Sequence, residues 1–415
     1  MAQTFQATAE PVPIKVYGYR WVILLFFFLI NALIQVQWIT FAPITSEAVA
    51  FYKVSALQID LLSLIFMIVY IFVSIPASYV IDTWGIKIGI GAGAVLLGIF
   101  GLFKGLGGAS YAMVVLSQVG LAVAQPFILN AVTKLGVRWF PLHERATQAG
   151  ISVLAQFVGI IAAMAATPLL LQSWGMKKML LIYGLVTFAG ATLFLLFNRE
   201  HPPTPPCPPG HDERIPALAG LKHILQQKDM RYLLLVFFIG LGIFNAITTW
   251  IEQILKPRGF TTTQAGFAGA MLMIGGIIGA SILPLLSDKL RKRKVFILIT
   301  TLFALPGLVG MTFATHYSLL LWACFIMGFF LLAGGPICYQ YSAEVSYPAP
   351  EATSQGLLLF AGQISGILFV FGMDLWSAAD ASKTPAMIVF IALTMLNLFF
   401  ISKLKESKLV QTDEI

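Results

Sequence analysis

The chain has 415 residues, of which 58% are apolar and only 11% charged. Soluble domains carry about 25% charged residues, so this composition excludes a soluble, disordered, collagen-like or coiled-coil protein and points to a chain dissolved in lipid. The net charge of +8 comes from basic residues set in short segments between apolar runs, which suits orientation in a membrane better than nucleic-acid binding.

The N-terminal segment is polar and holds Pro11 and Pro13, and no small-residue cleavage site follows the first apolar run. That run is therefore read as a retained helix. Twelve stretches reach the roughly 20 apolar residues that a spanning helix needs: 21–44, 60–81, 88–106, 110–134, 147–172, 177–197, 231–255, 264–286, 295–314, 317–341, 354–376 and 385–402. Most connections are short. The exception, 198–230, contains Pro202-Pro203-Thr204-Pro205-Pro206-Cys207-Pro208-Pro209. Such a run favours extended chain, and it reads as an exposed cytoplasmic linker between two six-helix halves, 1–197 and 231–415. With the N-terminus inside, 19 of the 26 basic residues fall on the cytoplasmic side, including the run Arg291 to Lys294. This predicts a multi-pass plasma (inner) membrane protein with both termini cytoplasmic.

The halves echo each other. Asp82 closes the second span in Ser78-Tyr79-Val80-Ile81-Asp82-Thr83-Trp84-Gly85-Ile86-Lys87, and Asp288 closes the eighth 206 positions later. Thr147, Gln156 and Gly159 find counterparts in Thr353, Gln363 and Gly366 at 206 or 207. Two halves of six helices in the same orientation form the parallel-repeat plan of a secondary transporter, an all-α membrane fold.

Polar residues inside spans are the candidates for function, because lipid offers them no partners. Asn31, Gln35 and Trp38 lie at i, i+4 and i+7 on the first span, one helical face. Asn245, Thr248, Thr249 and Glu252 do the same on the seventh. Gln125, Gln156 and Gln363 sit near mid-depth. Amides in such places serve either a cavity or helix–helix hydrogen bonds worth about 0.6 kcal/mol each. Gln156 and Gln363, a symmetric pair beside glycines, lean toward the second use. Trp38 is either a cavity residue or a belt residue at the membrane surface, and its polar face-mates favour the cavity. Glu252 is a carboxylate well inside a span, a candidate for ion coupling or an ion pair with Lys256 at i+4. Lys104, Glu344 and Asp374 fall at span ends and read as interfacial. Asp82, Arg138, Asp288 and Glu344 are candidates for a cytoplasmic gate, with Asp82 meeting Arg138 when the carrier is open outward.

No P-loop occurs, so no ATP-driven pump is indicated, and no His-Glu-x-x-His or chain of buried His and carboxylates suggests an enzyme. The cluster His201, Cys207, His211, Asp212 and Glu213 lacks metal-site spacing. The expected partners are a small-molecule substrate and the lipid bilayer, with no cofactor, no metal and no nucleic acid, and the expected state is a monomer.

Asp82, Gly85 and Lys87 resemble the loop signature of the major facilitator superfamily, with Thr83 and Ser78 departing from it and a second copy around Asp288. Gln37-Trp38-Ile39, Ile59-Asp60-x-Leu62-Ser63, Val123-Ala124-Gln125-x-Phe127, Trp139-Phe140 and the stretch from Glu344 to Leu358 are similar to the feline leukaemia virus subgroup C receptor family. That resemblance implies a major facilitator fold and transport of choline and ethanolamine, or export of haem. It implies a cation site lined by Trp38, Gln125 and Gln363. It also implies that Phe66 stands where relatives carry Tyr, and Asn245 at another Tyr position. Trp38 and Gln125 are expected to contact the substrate, with Asn245, Phe66, Tyr70 and Gln363 close by. The reading is a carrier of a small organic solute, in particular an organic cation such as choline. Efflux of haem or hydrophobic drugs and a non-transporting membrane sensor are the alternatives.

Overall fold

A computed structural model describes residues 15–141, 144–204, 206, 223–346, 351–377 and 383–406. The side chains of Asp82, Thr133, 145–147, 351–353 and 373–377 are outside that set. The described elements are helical: α1 (Tyr19–Ile39), α2 (Thr45–Tyr52), α3 (56–84), α4 (86–106), α5 (Tyr111–Leu129), α6 (Val132–Trp139), α7 (145–174) and α8 (176–197) form a first group. The second group is α9 (Lys228–Leu255), α10 (Thr262–Leu290), α11 (Arg293–Phe313), α12 (Tyr317–Ser346), α13 (Glu351–Ser377) and α14 (Thr384–Lys403). Without water, backbone groups must bond within the segment, which makes each apolar run a helix.

Eleven described helices are long and apolar enough to span a membrane. One of them, Gln148–Phe197, has 50 residues and breaks at Gly175, where φ is +72°. Fifty residues would extend about 75 Å, more than twice the hydrocarbon thickness, so this stretch crosses twice and the total is twelve. Gly85 makes the same break between α3 and α4 with φ +87°. Crossings alternate, so the start of α1, the 198–227 connector and the Gly85 and Arg291 turns share one side, here called the terminal face. The turns at 53–55 and 259–261 lie on the far face.

The repeat extends into the backbone. The αL residues Lys53 and Gly259 are 206 positions apart. So are the capping boxes Ser55/Gln58, which opens α3, and Thr261/Gln264, which opens α10. So are the positive-φ turns at Gly85 and Arg291. Glu200 accepts the backbone N–H groups of Ile86 (3.2 Å) and Lys87 (2.7 Å) at the start of α4. Its counterpart Glu406 accepts those of Arg293 and Lys294 at the start of α11. A carboxylate against the free N–H groups of a helix start is favourable both as a cap and against the helix dipole.

The connector is shorter than the expected 198–230. Helix α9 starts at Lys228, because the polar Lys228-Asp229 pair continues into the apolar run without a breaker. Residues 198–204 are tied to the first group: Asn198 Nδ2 donates to Lys87 O (3.2 Å) and the Trp139 indole donates to Arg199 O (3.2 Å). Cys207–Gly210 and the rest of the segment to Lys222 fall outside the described residues.

Candidate functional site

A cavity of about 1340 Å³ lies between the two groups of helices. Its lining runs from Gln35, Trp38 and Gln125 at mid-depth to Ile81, Lys134 and Gly150 near the terminal face, and from Asn245 to Tyr339 and Gly356 in the second group. At the far end, four side chains join the groups. Glu252 Oε2 accepts the Ser46 N–H at 2.6 Å. Lys256 reaches Glu47 at 3.2 Å, Thr262 donates to Glu47, and Gln253 donates to both carboxylate oxygens of Asp60 at 2.7 and 2.9 Å. The cavity is thus closed on the far side and opens toward the terminal face.

Trp38 lines it with 7% of its surface exposed, so it is no membrane-belt residue. Its ring is fixed by donation from Nε1 to Ser63 O (3.2 Å), while the Ser63 hydroxyl returns a bond to Trp38 O (3.4 Å). Phe66 and Tyr70 follow Ser63 one and two turns along α3 and also line the cavity. Gln125 lines it from α5. Gln35 donates to Gln156 at 3.4 Å, and Asn245 donates to Gly362 O at 3.4 Å. Gln156 and Gln363 both line the cavity, and Gln156 also joins α7 to α1 through Gln35. Among the described lining residues there is no carboxylate.

Asn31 is outside the lining. It is fully buried and donates to Phe27 O, one turn back on its own helix (3.0 Å). The face of α1 rotates away from the cavity there, where α7 packs so closely that a Cβ at Gly159 would overlap the Ala32 carbonyl. Thr248 and Thr249 likewise return their hydroxyl protons to Phe244 O and Asn245 O within α9. Glu252 lies beyond the closed end and forms the expected ion pair, with Oε1 3.0 Å from Lys256 Nζ.

Of the gate candidates, the side chain of Asp82 is outside the described residues. Arg138 lies 3.8 Å from Glu200. Asp288 and Glu344 share Arg293, which donates to Glu344 at 3.0 Å and to Asp288. Glu344, near the terminal-face end of α12, is mostly covered and paired with Arg293. Lys104, expected at the interface, lies in the interior. It is 1% exposed and donates to Gln37 O (3.0 Å) and Thr40 Oγ1 (3.2 Å), with the Phe41 ring centroid 5.0 Å away. Gly101 and Gly105 beside it let α8 come close enough to cover it, a signal readable in the sequence.

Asn130 was not among the sequence candidates. Its Oδ1 accepts the Tyr70 hydroxyl (2.8 Å), and its Nδ2 reaches Ser74 O (3.1 Å) and the Ser74 and Ser78 hydroxyls (both 3.0 Å). This hub lines the cavity between mid-depth and the mouth. Its position just past the apolar stretch of α5 gave no periodic signal.

A twelve-helix repeat around one central cavity defines a secondary carrier, and comparison with known proteins agrees. Residues 17–370 match the Major Facilitator Superfamily, and the chain belongs to it. The fold is shared with the inward-facing, unoccupied crystal structure of a bacterial homolog to the human lysosomal transporter Spinster (TM-score 0.76, 18% identity, 93% of this chain and 97% of that one). A D-xylose-proton symporter aligns with a TM-score of 0.72 at 15% identity, over 94% of this chain and 99% of that one. Solute carrier family 49 member A3 of Xenopus tropicalis is 32% identical, over 90% of this chain and 81% of its own length. Choline/ethanolamine transporter FLVCR2 of Homo sapiens is 28% identical, over 86% of this chain and 72% of its own. Within the superfamily, the chain is a member of the feline leukaemia virus subgroup C receptor family.

Proposed function

We propose that this membrane transporter moves a small organic cation of the choline and ethanolamine class. The observation that carries the reading is a cavity lined at mid-depth by Trp38, Phe66 and Tyr70 together with Gln125, Asn245 and Gln363, with no carboxylate among its described lining residues. Aromatic faces attract a quaternary ammonium by about 0.5–2 kcal/mol per ring without needing a full negative charge. An amide at the same depth accepts from, or donates to, the alcohol end of such a molecule. The relatives named as choline/ethanolamine transporters support the class. On this reading Gln35 is a further contact, while Asn31 acts through the packing of α1.

The halves 1–197 and 231–415 would rock about this site, with Asp82, Arg138, Asp288 and Glu344 steadying the terminal face when the cavity opens the other way. The bias of basic residues supports termini on the cytoplasmic side of the plasma membrane. The decisive test is uptake of labelled choline and ethanolamine by the purified protein in liposomes. Saturable uptake lost in Trp38→Ala supports the reading, and flux no greater than in empty liposomes overturns it. Binding without flux would indicate a sensor. A second reading, export of haem or flat hydrophobic drugs, draws support from the size of the cavity, about 1340 Å³, far more than choline fills. Haem that moves in the same assay and is not displaced by choline would favour it.

A further inference from the structure

Helices α9 and α13 cross tightly near mid-depth. A Cβ at Gly366 would sit 2.7 Å from the Asn245 amide nitrogen, one at Gly242 would sit 2.7 Å from the Ser365 hydroxyl, and one at Gly362 would overlap Leu241. Toward the terminal face a gap remains between the two helices, lined by Leu234 and Leu235 on one and Leu357 on the other. The gap forms a wedge of about 420 Å³ on the side of this helix pair away from the central cavity. Its walls are Leu234, Leu235 and Phe238 on α9 and Phe360, Ala361 and Ile364 on α13. Leu235, which does not line the central cavity, is 44% exposed, so in a membrane this side meets lipid. Leu357 and Phe360 line both the wedge and the central cavity and are the partition between them. Among the described residues that line the wedge, the charged one is Arg231, exposed in the first turn of α9 at the terminal rim.

We propose that this wedge binds an anionic phospholipid of the leaflet at the terminal face, with the headgroup on Arg231 and one acyl chain laid along Phe360. An apolar slot, closed at mid-depth by the glycine crossing and capped by a guanidinium at headgroup level, matches an amphiphile with a negative head. A guanidinium pairs with phosphate through two parallel bonds and is drawn to a net negative head more than to a zwitterionic one. The chain would buttress the Leu357–Phe360 partition from outside. The proposal is independent of which solute the carrier moves.

The test uses the full-length protein in nanodiscs containing a trace of phosphatidylglycerol or phosphatidylcholine with a photoactivatable group on one acyl chain, and mass spectrometry to map the labelled peptides. Phosphatidylglycerol should label 234–238 and 357–364 more than phosphatidylcholine does. Arg231→Gln should cut the phosphatidylglycerol labelling by about five-fold, the expected effect of one basic residue at an anionic surface. Arg231→Lys should restore most of it, and Lys289→Gln on the same face should leave it unchanged. Ala361→Phe, which fills the slot, should remove labelling by both probes at 357–364. Equal labelling by the two probes, or no change in Arg231→Gln, would mean that bulk lipid fills the wedge, and would overturn the proposal. Arg231→Gln carries the decision alone if Ala361→Phe does not purify as a monodisperse protein.

Discussion

Ser46 and Glu252 meet across the two groups of helices: the backbone N–H of Ser46, at the start of α2, donates to Glu252 Oε2 at 2.6 Å, with the carboxylate wholly buried. The same carboxylate holds Lys256, which also reaches Glu47 next to Ser46. A charge-assisted bond of this kind is worth about 1.5–3 kcal/mol. It exists only while the far side is closed, so it biases the carrier toward the state that opens to the terminal face. Glu252→Gln keeps an acceptor for Ser46 but loses the charge. The variant should shift the equilibrium toward the far-side-open state by about 1–2 kcal/mol, roughly ten-fold. Thiol-reagent access to a cysteine placed at Ser63, measured from each side of sealed vesicles, reads that shift. Substrate affinity in the terminal-face-open state should change little, because Glu252 lies outside the cavity lining. Unaltered access from both sides would remove Glu252 from the latch.

Trp38→Ala should weaken choline binding by at least about 1 kcal/mol, and Trp38→Phe by less, since a benzene ring keeps part of the cation–π attraction. The Phe variant also frees Ser63 O from its indole donor, so some ring mobility should follow. Calorimetry on folded protein separates the two. Equal affinity in wild type and Trp38→Ala would take away the main argument for an organic cation.

How much of this was legible in the sequence differs by scale. Spans follow from run length alone, and the repeat from Asp82 and Asp288, because lipid leaves the backbone no choice but helices. A short connection between the runs 147–172 and 177–197 was expected from their lengths, and Gly175, which tolerates the φ of +72° that a sharp reversal needs, supplies it. The cavity was half legible. A three-residue polar stripe fixes a helical face but not how far along the helix that face stays open, which is why Gln35 and Trp38 line the cavity and Asn31 does not. Lys104 was misread because depth was counted from the end of its own helix, whereas burial is set by the neighbour that glycines admit. Contacts such as Ser46–Glu252 join residues 206 positions apart on different helices, and no local pattern encodes them.

Lys104 caps the end of α1 from a neighbouring helix. Gln37 O, within the last turn of α1, and the Thr40 hydroxyl receive its protons, and both lie beside Trp38. Carbonyls at a helix C-terminus lack partners of their own and carry the negative end of the helix dipole, so an ammonium there is favourable. Lys104→Ala removes the bonds and leaves a gap, and should cost about 2–3 kcal/mol of stability. Lys104→Glu should be worse, placing a carboxylate against acceptors in a dry site. Thermal unfolding in detergent tests both. A melting temperature for Lys104→Glu at or above wild type would refute the cap.

Glu200 and Glu406 offer a test of the repeat at the level of single hydrogen bonds. Each arises just after the last helix of its group and accepts two backbone N–H groups at the start of a helix, α4 for Glu200 and α11 for Glu406. These donors belong to the first turn and have no partner within their own helix. Losing such a cap costs about 0.5–2 kcal/mol. Glu200→Ala should therefore speed hydrogen exchange at Ile86 and Lys87 by several-fold, and Glu406→Ala should do the same at Arg293 and Lys294, each leaving the other helix start untouched. The two losses should be additive, because the sites share no partner. Glu200 carries one further interaction, the Arg138 guanidinium 3.8 Å away. Glu200→Gln should thus keep much of the protection at Ile86 and Lys87 while releasing Arg138, and Arg138→Gln should leave that protection nearly intact. If Glu200→Ala left exchange at Ile86 and Lys87 at the wild-type rate, the carboxylate would not be the cap, and the two group ends would share a sequence pattern without sharing its physical use.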